Sequence, residues 1–103
     1  MRLVAFLILA LIVTTADAAP PKPARLGLCA ACHGEDGRAR IPGAPNLAAQ
    51  NYDYLLNALH DYKSGARDVA VMRAATGSLS ELEMRQLARW YACLPCLPNR
   101  REP

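Results

Sequence analysis

The spacing of apolar residues along the chain predicts an all-α protein. One stripe with helical spacing consists of Leu55, Leu59 and Tyr62. A second stripe consists of Met84, Leu87, Ala88 and Tyr91. No segment shows the strict alternation of apolar and polar residues that is typical of a half-buried strand. The pattern therefore predicts three to four helices joined by loops, without a sheet.

Capping residues indicate where the two striped helices begin and end. Asn51 can cap the start of the first, and Gly65 can end it. Ser80 and Glu83 have the S-x-x-E spacing of a capping box at the start of the second, which Pro95 ends.

The remaining segments divide into one short helix and two loops. The helix is predicted to begin near Pro23 and to include "ARLGLCAAC". The following "HGEDGRARIPGAPNLAAQ" contains three glycines and two prolines, so it is predicted to be a long loop. Residues 66 to 77 lack a clear period and are predicted to form a second loop, which carries Met72.

The first eighteen residues predict export. Arg2 precedes an apolar run from Leu3 to Val13, and a small-residue A-x-A sequence ends at Ala18. This order is typical of a secretory signal peptide, with residues 19–103 forming a single exported domain and the periplasm as its location. An uncleaved membrane anchor is the alternative, but eleven apolar residues fall short of the ~20 that span a bilayer.

The mature chain is small and weakly basic. At about 85 residues it buries only ~60% of the surface of its unfolded chain, so a disulfide, a metal or a large cofactor is expected to stabilise it. Its net charge stays at +3 once Arg2 and Asp17 are removed with the signal. The basic residues form no stripe with aromatics, which disfavours nucleic acid as a partner.

The segment "CAACH" combines Cys29, Cys32 and His33, which could serve four different kinds of site. A zinc site would need Cys93 or Cys96 as a further ligand, and a redox dithiol would need a βαβ context that an all-helical chain lacks. A structural disulfide would leave His33 unused. A covalent haem uses all three residues, because the two thiols form thioethers with the porphyrin and the imidazole binds the iron. This interpretation also requires export.

The second axial ligand of such a haem iron would be a thioether or another imidazole. Of the two methionines in the mature chain, Met84 belongs to a helix stripe, whereas Met72 lies in the second predicted loop and is free to ligate. His60 is the rival ligand, but its place off the stripe predicts a solvated surface residue.

These motifs resemble the class I c-type cytochromes, and in particular the bacterial cytochrome c-four subfamily. The similarity lies in "CAACHG", "PGAPNLAAQ", "YDYLLNALHDYKSGAR" and "VMRAATGSLSELEMRQLARWYA", so it covers about residues 26 to 92. The resemblance implies thioethers at Cys29 and Cys32, axial ligation by His33 and Met72, and a Pro45 carbonyl that accepts from the His33 ring.

The chain departs from the family pattern at both ends of the similar region. Prolines shorten the first helix, and Gly27 is expected to replace the usual small-residue contact by meeting Ala88. Cys93 and Cys96 have no counterpart in the pattern. Leu97 stands where a second haem motif would need histidine, so in an export compartment the pair is predicted to form a disulfide.

The function predicted from the sequence is one-electron transfer by a haem protein that is not itself an enzyme. Its partners would be redox proteins, namely a donor dehydrogenase and a terminal oxidase or reductase, met by a monomer or by a subunit of a small complex. The first alternative is a bound electron-accepting subunit of a dehydrogenase, of the flavocytochrome c sulfide dehydrogenase type. The second alternative is a gas-binding or sensing haem protein.

Overall fold

The computed structural model of the protein describes residues 10–13 and 19–94. Within these ranges it contains four helices and no strand, which confirms the all-α prediction: α1 (Leu26–His33), α2 (Tyr52–Ser64), α3 (Ala70–Gly77) and α4 (Glu81–Ala92). No helix in the described ranges is both long and apolar enough to cross a bilayer. Most of the predicted signal peptide lies outside the described residues, so its cleavage after Ala18 stays a prediction.

The capping residues of α2 and α4 act as the sequence predicts. The Asn51 side chain accepts from the Tyr54 backbone N–H at 3.0 Å, and Gly65 ends α2 in the left-handed conformation at φ +86°. The Ser80 side chain accepts from the Glu83 N–H at 3.1 Å, while the Glu83 side chain accepts from the Ser80 N–H at 3.0 Å. Both ends of this capping box are therefore satisfied, and α4 begins as expected.

Helix α3 is the main correction to the sequence-based fold. The prediction of a loop from 66 to 77 is wrong for residues 70–77, which are helical. Alanine, methionine and arginine favour helix there, but eight residues are too few to show a convincing apolar period. Thr76 donates its hydroxyl to the Met72 carbonyl at 2.8 Å and so satisfies its side chain within the helix. Met72 therefore lies in the first turn of a helix and not in a loop.

The core forms where α2 packs against α3 and α4. The predicted stripe of α4 is buried, together with Trp90, which lies outside that stripe. The buried apolar cluster consists of Leu26, Leu55, Leu79, Met84, Leu87, Ala88, Trp90 and Tyr91. Leu79 and Met84 flank the capping box, so they hold the chain entering α4 against the core.

Helix α1 meets this core through Leu26 and not through Gly27. The expected contact between Gly27 and Ala88 is wrong, because no atom lies within 4 Å of a Cβ placed on Gly27. Leu26, by contrast, is 1% exposed and packs in the cluster that contains Ala88. Successive residues of a helix point about 100° apart, so burying Leu26 turns Gly27 toward solvent.

Three hydrogen bonds attach the long loop between α1 and α2 to α4. The Trp90 indole N–H donates to the Glu35 carbonyl at 2.9 Å, and the Tyr91 hydroxyl donates to the Gly34 carbonyl at 2.9 Å. Further along, the Ala49 N–H donates to the Tyr91 carbonyl at 3.1 Å. The loop is thus held against α4 at its beginning and near its end.

Candidate cofactor site

A mainly apolar cavity opens between α1, the long loop, α2, α3 and α4. It has a volume of about 200 Å³ and is open to solvent on one side. Its apolar lining includes Leu47, Leu55, Ala58, Leu59, Leu87 and Ala88. The stripes of α2 and α4 therefore build the wall of a cavity as well as a helix contact.

His33 lies at this cavity as the last residue of α1 and is 7% exposed. Its Nδ1 lies 2.8 Å from the Pro45 carbonyl oxygen. Because a carbonyl can only accept, Nδ1 must be the N–H and Nε2 keeps its lone pair. This is the arrangement that fixes the tautomer of a metal-binding histidine.

The loop around Pro45 is itself held by hydrogen bonds. The Asn46 side-chain oxygen accepts from the Ala39 N–H at 2.8 Å, and the Arg40 N–H donates to the Cys32 carbonyl at 2.8 Å. These bonds connect the proline-rich segment to the end of α1. The Pro45 carbonyl is consequently fixed relative to the His33 ring.

The two cysteines of α1 differ in their environments. Cys29 lines the cavity, whereas Cys32 is half-buried and does not line it. Burial raises the pKa of Cys29 to about 11, and the positive charge of Arg25 only partly opposes this. A thiol with so high a pKa stays protonated at neutral pH, which is the opposite of the reactive cysteine in a redox dithiol.

Met72 lines the same cavity from α3, whereas Met84 and His60 do not. Met84 is 3% exposed in the core, as its stripe position predicts. The His60 side chain is 42% exposed, and its Nε2 lies 2.6 Å from a Glu81 carboxylate oxygen. Among the described residues, the structure therefore brings together Cys29, His33, Pro45 and Met72 but not His60.

Cys93 and Cys96 belong to two different predictions, a ligand of a zinc site and a disulfide. In the described part of the chain no three His, Cys, Asp or Glu side chains converge in a way that could hold a metal ion. Cys93 is the C-cap residue of α4, and Cys96 lies outside the described residues. The predicted disulfide between them stays a prediction.

The lining fits a haem in its chemistry. It supplies an oriented imidazole, a thioether, a cysteine for covalent attachment and an apolar wall that would exclude water from the iron. An all-α fold with such a cavity behind a C-x-x-C-H helix defines a c-type haem protein.

The comparison with protein families agrees with this class. The cytochrome c family model matches residues 26–90, and the chain belongs to this family. The family match and the C-x-x-C-H spacing together support a covalently bound haem c.

Individual relatives place the chain close to the cytochromes c4. It is 39% identical to cytochrome c4 of Pseudomonas aeruginosa over 67% of this chain and 34% of that protein. It is 34% identical to cytochrome c-554(548) of Halomonas halodenitrificans over 66% of this chain and 86% of that protein. A protein named thiosulfate dehydrogenase electron acceptor, from Thiomonas intermedia, is 38% identical over 75% and 35% respectively. The chain thus spans about a third of the cytochrome c4 relatives and most of the shorter relative.

Three residues of the site were not identified from the sequence. Trp90 and Tyr91 fix the loop through polar groups, and of the two only Tyr91 belongs to the predicted stripe of α4. Arg67 lines the cavity, and nothing in the spacing of the chain distinguishes it from the other arginines. A buried tyrosine or tryptophan usually finds a partner for its polar group, and that rule could have indicated the first two.

Proposed function

We propose that the protein is an exported one-electron carrier that holds one covalent haem c. Cys29 and Cys32 would form the thioethers, and His33 and Met72 would be the axial ligands. One observation carries the proposal: the Pro45 carbonyl orients the His33 ring at the wall of an apolar cavity that Met72 also lines. An imidazole and a thioether, which here come from α1 and α3, are the ligand pair of electron-transferring cytochromes.

When bound, the haem supplies a ferrous–ferric couple that accepts or donates one electron. The residues of the chain orient the iron ligands, exclude water and so influence the reduction potential of this couple. The bond to Pro45 keeps Nε2 of His33 available and its ring oriented. Met72 would be the second protein ligand of the iron, so no substrate would need to reach it, and the apolar wall would keep water away. A thioether ligand and an apolar environment both favour the ferrous form and raise the reduction potential.

The periplasm and the redox partners belong to the proposal as well. The predicted signal peptide supports export, which the C-x-x-C-H chemistry also requires. Two of the similar proteins are named thiosulfate dehydrogenase electron acceptor. This similarity favours a second candidate function, in which the chain accepts electrons from a dehydrogenase as a bound subunit. Purification from the native source separates the two: a shuttle is obtained alone, and a subunit with a stoichiometric partner.

Two methionine variants test the ligand assignment. Met72→Leu is expected to lower the reduction potential, to remove the near-infrared band of a methionine–iron bond and to let the ferrous protein bind CO. Met84→Leu is the matched control, because Met84 is buried in the core and does not line the cavity. It should keep the wild-type band and exclude CO. A Met72→Leu protein that also keeps the band and excludes CO would disprove the assignment.

A further inference from the structure

A short turn joins α3 to α4, and two cationic side chains bind it from other parts of the fold. The Arg25 guanidinium donates from Nη2 to the Ser78 hydroxyl oxygen at 2.8 Å. The Lys63 ammonium donates to the Leu79 backbone carbonyl. Arg25 is the N-cap residue of α1, and Lys63 lies in the last turn of α2. The turn is therefore attached to both of these helices.

Arg25 meets the ends of three helices. It directly precedes α1, while Ser78 is the C-cap residue of α3 and Glu83 is the third residue of α4. The other guanidinium nitrogen, Nη1, lies 3.7 Å from a Glu83 carboxylate oxygen. A cation at the carboxyl end of α3 also complements the partial negative charge of that end. One side chain thus joins the beginning of α1 to the point where α3 ends and α4 begins.

Helix α3 depends on its neighbours for its position. It has eight residues, and within the described part of the chain its N-cap residue, Val69, makes no side-chain capping bond. An isolated helix of this length is not stable in water. Of the helices that the structure describes, α2 is the one that packs extensively against α3. The contacts at the carboxyl end of α3 are therefore expected to have a large effect on where it lies.

A series of hydrogen bonds connects this turn to Met72. The Leu79 N–H donates to the Thr76 carbonyl at 3.0 Å, which closes the end of α3. The Thr76 hydroxyl donates to the Met72 carbonyl at 2.8 Å, and Thr76 is 1% exposed. The turn therefore cannot shift without breaking one of these bonds or moving Met72.

Helix α1 carries Cys29 and His33, and α3 carries Met72, so Arg25 joins the two helices that would supply the axial ligands. We propose that Arg25 is a positioning residue, which acts through Ser78 and the α3–α4 turn to keep the Met72 thioether where it can ligate the iron. Without this contact, α3 would sample positions in which the thioether is too far away, and another ligand could bind in its place. The inference rests on the proposed haem site and adds to it a residue outside the cavity lining.

Imidazole added to the ferric holoprotein measures how readily Met72 leaves the iron, because it binds only when the thioether has left. Arg25→Met removes every donor of the guanidinium and keeps an unbranched side chain. It is expected to tighten imidazole binding about fivefold, which corresponds to the net contribution of one hydrogen bond. The methionine–iron band should disappear at correspondingly lower imidazole concentrations. Arg25→Lys keeps the charge and a donor, so it should restore most of the wild-type affinity.

Two controls separate this effect from a general loss of stability. Lys22→Met removes the cation three residues before Arg25, whose partner is Glu35 and not the turn. Asn51→Ala removes the capping bond of α2, at the opposite end of that helix from Lys63, and so lowers the free energy of unfolding. Both variants are expected to bind imidazole as the wild type does.

A double-mutant cycle tests the route through Ser78. Ser78→Ala removes the acceptor of the Arg25 bond, so it should tighten imidazole binding as well. The double variant Arg25→Met, Ser78→Ala should bind imidazole no more tightly than Arg25→Met alone, because the contact is already lost. Two independent effects would instead multiply.

The inference is overturned if Arg25→Met binds imidazole no more tightly than Lys22→Met or Asn51→Ala does, or if the effects of Arg25→Met and Ser78→Ala multiply. If Arg25→Met does not load haem, Ser78→Ala is compared with Asn51→Ala, and equal affinities would overturn the inference. These outcomes are distinct from failure of the proposed function. In that case the wild type itself would lack a covalent haem or the methionine–iron band.

Discussion

At the scale of single residues, the site depends on polar groups that fix carbonyl oxygens. Pro45 orients the His33 ring, and the Tyr91 hydroxyl holds Gly34, the residue next to His33. Tyr91 is 3% exposed, and burial raises the pKa of its phenol, so the hydroxyl stays a neutral donor at any physiological pH. The Pro45 oxygen therefore orients the His33 ring, while the Tyr91 hydroxyl fixes the backbone directly after His33.

Removing the hydroxyl of Tyr91 tests this arrangement. Tyr91→Phe is expected to destabilise the holoprotein by about 1–2 kcal/mol, because a buried carbonyl loses its donor while the ring still packs. Denaturant unfolding measures the difference. Tyr54→Phe is the control, since Tyr54 is 53% exposed and its loss of a hydroxyl should change stability by less than about 0.5 kcal/mol. Equal effects of the two substitutions would contradict a structural role for the Tyr91 bond.

At the scale of elements, the long loop depends on glycine where it closes on itself. Gly37 has φ +75°, and its carbonyl accepts from the N–H groups of Leu47 and Ala48 at 2.8 and 3.1 Å. A Cβ at this position would lie 2.5 Å from the Ala48 backbone nitrogen. The loop can therefore bring Pro45 to His33 only with no side chain at residue 37.

Two glycine substitutions compare this loop with α1. Gly37→Ala is expected to cost about 2–4 kcal/mol, from the left-handed conformation and the backbone clash together. Gly27→Ala should instead stabilise by about 0.5–1 kcal/mol, because Gly27 is an open position within a helix. Thermal unfolding of the two holoproteins measures both. A Gly37→Ala protein as stable as the wild type would contradict the loop geometry.

The capping box of α4 predicts a pH dependence. The hydrogen bond from the Ser80 backbone N–H lowers the pKa of Glu83 below its usual 4.5. A carboxyl whose pKa is lowered by folding stabilises the protein above its unfolded-state pKa, and this contribution is lost as pH falls through the folded-state value. The free energy of unfolding should therefore decrease on acidification below about pH 4.5, and Glu83→Gln should make this decrease shallower. If the Glu83→Gln protein keeps the wild-type acid profile, the capping carboxylate does not contribute as argued.

The elements also show what the sequence could predict and what it could not. Helices α2 and α4 carry both a stripe and caps, so local spacing was sufficient for them. Helix α3 has eight residues and no side-chain cap, and it was predicted as a loop. The proximity of Cys29, His33 and Pro45 followed from a motif and a resemblance. The position of Arg67 at the cavity depends on how the turn after α2 folds, which spacing within one segment does not determine.

At the scale of the whole molecule, the cavity lies where a small helical protein would otherwise have the centre of its hydrophobic core. The helices pack around it, and several of their apolar side chains face it instead of each other. A chain this small has little other apolar surface to bury. The haem is therefore expected to contribute the largest part of the core and to be needed for folding.

Loss of both attachment sites tests this dependence. The double variant Cys29→Ser, Cys32→Ser should be largely unfolded after removal of any free haem, with a weak helical signal in circular dichroism. Its matched control is Gly27→Ala, which changes the same helix and keeps the thioethers. A native-like helical signal and a cooperative transition in the double variant would show that the chain folds without its cofactor.

The central claim is that the whole molecule carries one electron at a haem with two protein ligands. Its most direct test is an optical redox titration of the purified holoprotein, in the absence and presence of CO. The account predicts a reversible one-electron transition of a single c-type haem whose midpoint CO leaves unchanged. A midpoint that CO displaces, or a titration without a reversible one-electron step, would contradict it.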